Sequence, residues 1–321
     1  MVISDNSKSA IDALLQSVMK DWEKLHDPYP NILYHYTSAE GLLGILSNKN
    51  FHLTDLRYVN DFSELQYSRE LIESRLTARL EDSKVLSGAE RQFINGNRHS
   101  FDPFQFSNAV YSMSFCEEGN LLSQWRGYRR GGGGYALGID FFHALRLLDK
   151  PCSLRKIVYN RQDQLNYIDL LIDRFLTTLR AEFENDGQNQ ADDFMREMSE
   201  AFSRAVGELI FCFKHPDFVE EREWRLVHFA RFKPTTDRNS QSPEFRTFEG
   251  NVIPYAIVSF DRAIEVSRDD SFGYGFPIVE LMIGPTISAE LNLDSVTALI
   301  LSMNPDISPN IRQSGIPLRW L

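Results

Sequence analysis

Apolar residues recur along the chain at two different spacings, which divide it into helical and extended segments. Spacings of three and four residues predict one helix near the start of the chain and two more on either side of the polar loop NDGQNQ. The three stripes are Ile11, Leu14, Leu15, Val18, Trp22 and Leu25; Leu165, Ile168, Ile172, Phe175, Leu179 and Phe183; and Phe194, Met198, Phe202, Val206, Leu209 and Phe213. The second and third stripes predict a helical hairpin inserted at residues 162–213.

Short apolar or alternating runs between turn-forming residues predict strands. These runs include ILYHY, FHLTDLRYV, NAVYSMSFCE, GYALGIDFF, LRKIVYN, VEEREWRLVHF, NVIPYAIVSF and IVELMIGP. Residues 81–104 are polar and irregular, which predicts a surface connection. Strands mixed with helices, without strict βαβ alternation, predict an α+β fold with a mainly antiparallel or split β-sheet and flanking helices. We expect an N-terminal helix over residues 1–30 and a single α+β domain over residues 31–321 that contains the hairpin.

Charge and composition narrow the classes of function. A net charge of −11 argues against a broad nucleic-acid-binding surface, because phosphate neutralisation requires clustered Lys and Arg. The start, MVISDNSKSA, lacks the apolar run of a secretory signal, and no later segment has the apolar length of a membrane span. We therefore expect a soluble cytoplasmic protein with no membrane partner. The cysteines are far apart and predict neither a disulfide framework nor a metal site.

The segment VEEREWRLVHF carries charges in a strand that is otherwise apolar. Alternation along a strand puts Glu221, Glu223 and Arg225 on one face, and Trp224 and Leu226 on the other. The Cα atoms of the two glutamates would lie about 6.5–7 Å apart, so their carboxylates would perturb each other's protonation, and the guanidinium favours the ionised form of one of them. We interpret this face as a candidate site with Glu221 and Glu223 as alternative catalytic residues. A solvated face with a salt bridge is the simpler interpretation.

Two strand-to-helix junctions, HYTS and NDFSE, carry polar residues that suit either a ligand or a helix cap. A helix start directs backbone N–H groups and positive charge at whatever docks there, which favours an anion such as a phosphate. Thr37 and Glu40 have the spacing of a capping box, which predicts that a helix starts at Thr37. The candidate ligand-binding residues at the two junctions are His35, Tyr36, Thr37, Asn60 and Asp61.

The segment LLSQWRGYRRGGGGY combines aromatic, basic and glycine residues. Four consecutive glycines are typical of a flexible hairpin turn, and no Gly-Lys-Ser/Thr follows that would indicate a phosphate-binding P-loop. Trp125 and Tyr128 are candidate stacking surfaces for a ligand. Arg126, Arg129 and Arg130 are the basic residues beside them.

A series of short motifs occurs in order along the chain: H-Y-T-S, N-D-x-x-E, S-F-C-E, Q-W-R-G-Y, G-Y-A-L-G-I-D-F, E-x-E-W-R-L-V and I-G-P. In this order they resemble the bacterial family known as domain of unknown function 2971. The resemblance extends over residues 32 to about 285, and E-x-E-W-R is its most specific motif. Because that family has no assigned function, the resemblance implies no particular chemistry.

The layout is also similar to a distant ADP-ribosyltransferase, a fold that binds NAD in the cleft of a split β-sheet. That resemblance implies three positions along the chain: His35 with Tyr36 and Thr37 first, Ser112 and Ser114 in the middle, and Glu221 or Glu223 last. The first group would hold the nicotinamide ribose and amide. The late carboxylate would stabilise the positive charge that builds on the ribose when the glycosidic bond breaks.

The resemblance to ADP-ribosyltransferases implies a NAD-consuming enzyme, either an ADP-ribosyltransferase or a NAD-cleaving enzyme, which would act as a toxin or defence effector. NAD would be its substrate, and a protein or small-molecule acceptor is favoured over nucleic acid. Further candidates for NAD binding are Trp125, Arg126, Tyr128, Asn60, Asp61 and Arg225. The alternative is a catalytically inert nucleotide-sensing or protein-interaction module that uses the same cleft. A phosphate-transferring enzyme with His35 as acid or base is a third possibility.

Overall fold

The structure is a computed structural model that describes residues 5–25, 30–58, 62–82, 86–98, 108–127, 134–185, 191–231, 243–248, 250–260, 276–286, 288–303 and 309–317. The helices in these ranges are α1 (Asp5–Leu25), α2 (Ala39–Asn48), α3 (Phe62–Asp82), α4 (Gly88–Asn97), α5 (Leu122–Gly127), α6 (Phe141–Leu147), α7 (Arg161–Asn185), α8 (Ala191–Ile210) and α9 (Ala289–Met303). The strands are β1 (Ile32–Thr37), β2 (Asn50–Asp55), β3 (Asn108–Cys116), β4 (Tyr135–Asp140), β5 (Ser153–Lys156), β6 (Glu223–Arg231), β7 (Glu244–Phe248), β8 (Asn251–Ser259), β9 (Ile278–Ile283) and β10 (Asn310–Gln313). Short 3-10 helices cover Leu56–Tyr58 and Pro216–Glu221.

The chain divides into two compact units. The first, a helical unit, is formed by Met1–Asp27, Arg57–Ser107 and Lys156–Phe218. The second, a sheet unit, is formed by Pro28–Leu56, Asn108–Arg155 and Val219–Leu321. The sequence predicts different boundaries, with an N-terminal helix over residues 1–30 and one domain over residues 31–321. Those boundaries stay a prediction.

Aromatic packing holds the helical unit together. Helix α1 packs against α7 and α8, and α7 packs against α8. The rings of Phe93, Phe175 and Phe202 contact one another, with centroids 5.0–6.1 Å apart. Burial of these rings is the main source of stability in such a core. The two arms of the predicted hairpin are therefore present as α7 and α8.

The prediction that residues 81–104 form a surface connection is wrong, because helix α4 lies within them. Ser87 caps this helix, and a reciprocal hydrogen bond from the Ser87 backbone N–H to the Glu90 carboxylate completes a capping box. Phe93 and Ile94 are both fully buried in this short helix. The helix is held by these two apolar side chains and by the buried Glu90, which forms an ion pair with Arg180.

The strands form one ten-stranded sheet, with the order β10-β9-β4-β1-β3-β2-β8-β7, while β6 pairs with both β3 and β5. Strands β9 and β10 are parallel, whereas the pairs β1–β4, β3–β6, β2–β8, β4–β9 and β7–β8 are antiparallel. The predicted α+β class with a mostly antiparallel sheet and helices is confirmed. Across the part of the chain that the structure describes, no helix has the length and apolar character needed to cross a membrane.

The sheet forks at β3. Strand β6 pairs with one edge of β3 along its whole length, from Asn108↔Arg231 to Cys116↔Glu223. Two strands share the opposite edge: β1 at Cys116, and β2 at Tyr111 and Ser112. One limb then continues through β1, β4, β9 and β10, and the other through β2, β8 and β7. Ser114 lies between the two limbs and therefore occupies the fork.

The two faces of the sheet carry different side chains. One face, here called the core face, buries a large apolar cluster that includes Leu33, Phe115, Trp224 and Leu226. The other, here called the polar face, carries the alternate residues of the same strands. On it a small cluster of Tyr36, Cys116, Trp125 and Ala136 lies beside hydroxyl and charged groups.

Candidate functional site

Three residues from separate parts of the sequence meet at the fork. The imidazole Nδ1 of His35, on β1, lies 2.9 Å from the backbone oxygen of Ser114, on β3. The Ser114 hydroxyl donates to Oε1 of Glu223, on β6, at 2.7 Å. His35 and Glu223 of the sequence interpretation therefore both contact Ser114, the imidazole through the backbone oxygen and the carboxylate through the hydroxyl.

The Glu223 carboxylate is held by a buried ion pair. Arg225 donates from Nε to Oε1 at 2.7 Å and from Nη2 to Oε2 at 3.1 Å. The exposed fractions of Glu223 and Arg225 are 6% and 3%. A bidentate Arg–carboxylate pair fixes both distance and orientation, so the carboxylate has one well-defined position.

Alternation along β6 explains how two charges enter an apolar strand. Trp224 and Leu226 point into the core face, where both are almost completely buried. The indole N–H of Trp224 donates to Oε1 of Glu117 at 2.9 Å. Glu223 and Arg225 consequently lie on the polar face, where they pair with Cys116 and Ser114 of β3. This part of the sequence interpretation agrees with the structure.

The placement of Glu221 on the same strand face as Glu223 is wrong. The chain from Pro216 to Glu221 is a 3-10 helix, and β6 begins only at Glu223. Arg222, between them, has a left-handed backbone with φ of 43°. This turn breaks the two-residue alternation on which the pairing of the carboxylates depended.

His35 lies at the fork as a neutral imidazole. Its ring centroid is 5.6 Å from that of Phe115, on the core-face side of the sheet. Burial lowers the pKa of His35 to about 4, against a weaker raising effect of the Ser114 carbonyl. A carbonyl oxygen only accepts, so Nδ1 carries the proton of the neutral ring and Nε2 is an acceptor.

Tyr36 faces the opposite way from His35 and belongs to the polar face. Its hydroxyl donates to the backbone oxygen of Glu118 at 2.8 Å and accepts from the backbone N–H of Leu121 at 2.9 Å. Burial raises the pKa of this phenol well above its ordinary value. Tyr36 thereby holds the segment after β3 against β1.

The predicted helix start at Thr37 is displaced by one residue. Ser38 is the N-cap of α2, and its hydroxyl accepts from the backbone N–H of Gly41 at 3.2 Å. Thr37 is the last residue of β1, and its side chain is buried. The cap that the sequence analysis assigned to Thr37 is therefore supplied by its neighbour.

Trp125 is a buried packing residue rather than an open stacking surface. Its ring is 3% exposed and meets the Tyr36 ring edge-on at a centroid distance of 4.7 Å. The indole N–H donates to Oδ1 of Asn120 at 2.9 Å. A Cβ placed on Gly284 would lie 2.8 Å from the Trp125 ring, and one on Gly134 would lie 3.6 Å from it. The ring thus packs directly on two stretches of glycine backbone.

Of the remaining predicted site residues, two lie within the described ranges and three do not. Ser112 is buried and pairs with Thr54 of β2, whereas Arg126 is exposed at the end of α5. Tyr128, Asn60 and Asp61 lie outside the described residues. Among the residues that are described, no group of three or more His, Cys, Asp or Glu side chains could hold a metal ion.

Residues 124–226 match the model of a family described as "Protein of unknown function (DUF2971)". The predicted resemblance to DUF2971 is confirmed. The DUF2971 match includes Trp125, Glu223 and Arg225, and it ends within β6 at Leu226. No curated protein and no solved structure matches the chain.

The structure also explains residues of the DUF2971-like motifs to which the sequence analysis gave no role. Glu117 of S-F-C-E accepts a hydrogen bond from the indole of Trp224, and the Trp125 ring packs against Gly284 of I-G-P. The sequence held a signal for Gly284, since a glycine directly after an apolar strand often marks a close backbone approach. It held none for Glu117, whose partner lies more than one hundred residues away.

Proposed function

We propose that the protein is a NAD-dependent ADP-ribosyltransferase or a NAD-cleaving enzyme, and that Glu223 is its catalytic carboxylate. One observation carries the proposal. A serine of the middle strand hydrogen-bonds the late glutamate at 2.7 Å, and its backbone oxygen meets the early histidine at 2.9 Å, where the sheet forks. An ADP-ribosyltransferase-like site requires these three residue types together at the opening of a split sheet.

Cleavage of the bond between ribose and nicotinamide is favoured by a fixed negative charge beside the ribose. Breaking the bond between ribose C1′ and the nicotinamide nitrogen sends the bonding electrons to the pyridine ring and leaves an oxocarbenium-like sugar. A carboxylate that already occupies its position stabilises this charge without reorganising. Water or an acceptor nucleophile then attacks C1′ and loses a proton. With water the products are ADP-ribose, nicotinamide and a proton.

Arg225 and Ser114 act as positioning residues in this proposal. Both donate to Oε1 of Glu223, and Arg225 also binds Oε2. They fix the carboxylate in one rotamer, which counters the conformational freedom of a glutamate side chain. His35 is a positioning residue as well: its ring lies on the core face and, among the described residues, contacts the site only through the backbone oxygen of Ser114, so it holds β1 against β3 at the fork.

A second candidate is an inert nucleotide-binding module, and the burial of Glu223 favours it. A carboxylate that is 6% exposed, and paired through both oxygens, resembles a structural ion pair. In that case the same face binds a nucleotide and no bond is broken. As an enzyme, by contrast, the protein would deplete NAD or attach ADP-ribose to an acceptor, as expected for a toxin or defence effector.

Nicotinamide release separates the two candidates. Purified protein is incubated with NAD, with and without cell lysate, and released nicotinamide and transferred labelled ADP-ribose are measured. We expect release by wild type and a loss of at least about 100-fold in Glu223→Gln. Glu221→Gln is the matched control, because that carboxylate lies in the 3-10 helix and not on β6. We expect it to retain the wild-type rate.

Ser114→Ala provides a test that does not depend on whether Glu223→Gln folds, because it keeps the Glu223–Arg225 pair and removes only the hydroxyl. We expect a partial loss of rate with an unchanged circular dichroism spectrum. No nicotinamide release by wild type, together with a melting temperature that NAD raises, would establish the inert module instead. Equal loss in Glu221→Gln and Glu223→Gln would contradict the choice of Glu223.

A further inference from the structure

A second polar cluster lies on the polar face, on the limb formed by β2, β8 and β7. Arg246 of β7 donates from Nη2 to the Thr54 hydroxyl of β2 at 2.6 Å. Its guanidinium carbon lies 5.6 Å from the ring centroid of Tyr255, on β8. The Tyr255 ring in turn lies 4.6 Å from the ring of His52. Thr54 and Tyr255 therefore contact the guanidinium, and His52 contacts Tyr255.

Arg246 is not fully satisfied by its surroundings. Its Nε is buried and has no hydrogen-bond partner. No ion pair between residues of the described ranges involves Arg246. Burial lowers the pKa of Arg246 from its ordinary value, while Tyr255 opposes this effect. A partly buried guanidinium with an unused donor is stabilised when an anion binds to it.

The neighbours of Arg246 suit a tetrahedral oxyanion. A guanidinium presents its N–H groups as a planar fork that matches phosphate oxygens. Thr54 brings a hydroxyl to the same point, and hydroxyls commonly donate to phosphate. Burial, and then the charge of Arg246, lower the pKa of His52, so its ring is neutral at pH 7 and can donate one N–H.

Register places this cluster beside the fork. Thr54 pairs with Ser112, and Ser112 precedes Ser114 by two residues on the same face of β3. One strand spacing and two residues of rise put the Cα atoms of Thr54 and Ser114 roughly 8 Å apart. A ligand whose ribose lies at Glu223 can therefore extend across the fork to Arg246.

We propose that Arg246, together with Thr54 and His52, binds a phosphate group, and that the group is the pyrophosphate of a dinucleotide whose ribose lies at Glu223. The identity of the ligand rests on the proposed function. The anion site does not, because it is built from side chains that take no part in bond cleavage.

Titration calorimetry with inorganic pyrophosphate tests the anion site alone, since pyrophosphate has no glycosidic bond. The full chain is titrated at constant ionic strength, because screening weakens such contacts. We expect wild type to bind, and Arg246→Gln to bind at least about tenfold more weakly. Arg312→Gln is the matched control: it removes the same charge from the other limb, where Arg312 is exposed and lies 3.5 Å from Glu280. We expect it to bind as wild type does.

Arg246→Lys decides the result if Arg246→Gln does not fold. Lysine keeps the charge and loses the planar fork, so we expect weaker binding with a preserved melting temperature. Absence of pyrophosphate binding by wild type, or equal binding by wild type and the folded Arg246 variant, would overturn the anion site. Arg246-dependent binding without any nicotinamide release would leave the anion site standing and reject the proposed enzyme.

Discussion

At the scale of single residues, the Glu223–Arg225 pair has a large effect on stability. Both partners are buried, so removing one leaves the other as an uncompensated charge. We expect Glu223→Gln and Arg225→Met each to lower the free energy of unfolding by about 3–5 kcal/mol in urea titrations. The double variant Glu223→Leu/Arg225→Met should recover most of that loss. Additive losses in the double variant would show that the two side chains do not act as a pair.

Gly284 is a residue whose importance is steric. A Cβ at this position would lie 2.8 Å from both the Trp125 ring and the backbone oxygen of Gly134. We expect Gly284→Ala to cost about 1–3 kcal/mol of unfolding free energy, because neither neighbour can yield cheaply. Gly44→Ala, in α2 with nothing within 4 Å of the added Cβ, is the control and should be neutral or stabilising. Equal losses in both variants would contradict the steric account.

The contacts at the fork were predictable where they depended on residue type and unpredictable where they depended on local backbone. His35, Ser114 and Glu223 were expected to lie near one another because each had the expected type on an expected strand, and the structure brings them into contact. Glu221 was misplaced because a 3-10 helix and a left-handed residue interrupt the alternation just before β6. Trp125 was interpreted as a ligand surface because its tightest glycine contact comes from Gly284, which is distant in sequence.

At the scale of elements, the fork makes stability depend on pH through His35. Its pKa in the folded state is about 4, below the ordinary value of 6.5, so the unfolded chain binds more protons between these values. Stability is therefore fully present above pH 6.5 and falls by up to about 3 kcal/mol as the pH approaches 4.

Urea titrations from pH 7.5 to about pH 4, in wild type and His35→Gln, measure this contribution. Glutamine can still donate to the Ser114 carbonyl but does not titrate, so we expect a shallower loss in the variant. His52 also has a lowered pKa and contributes equally to both proteins, so the difference isolates His35. Parallel curves would show that His35 is not buried in solution.

Element types were predictable from apolar spacing, but connectivity at the fork was not. Helices α7 and α8 follow stripes that are long and regular, whereas α4 depends on a cap and one apolar pair. The capping box at Ser87 and Glu90 was present in the sequence and would have revealed α4. Which strands share an edge of β3 is set by tertiary packing, and alternation within a strand carries no information about it.

At the scale of the whole molecule, the net charge of −11 limits the partners. We expect no change in the anisotropy of a labelled DNA duplex up to about 10 μM protein at physiological salt, because sequence-independent binding requires clustered cations. Micromolar binding that weakens log-linearly with salt would contradict this prediction and restore nucleic acid as an acceptor.

The fork also leaves a short stretch of strand edge on β3, one residue long, at Ser114. In an antiparallel pair the N–H and C=O of a residue point the same way, so Ser114 presents both groups toward the gap between β1 and β2. So short an edge cannot template an incoming strand, which protects a forked sheet from edge-to-edge aggregation. The Ser114 amide should nevertheless exchange its hydrogen for deuterium faster than those of Met113 and Phe115, which face β6, and its protection would report directly on how widely the two limbs open.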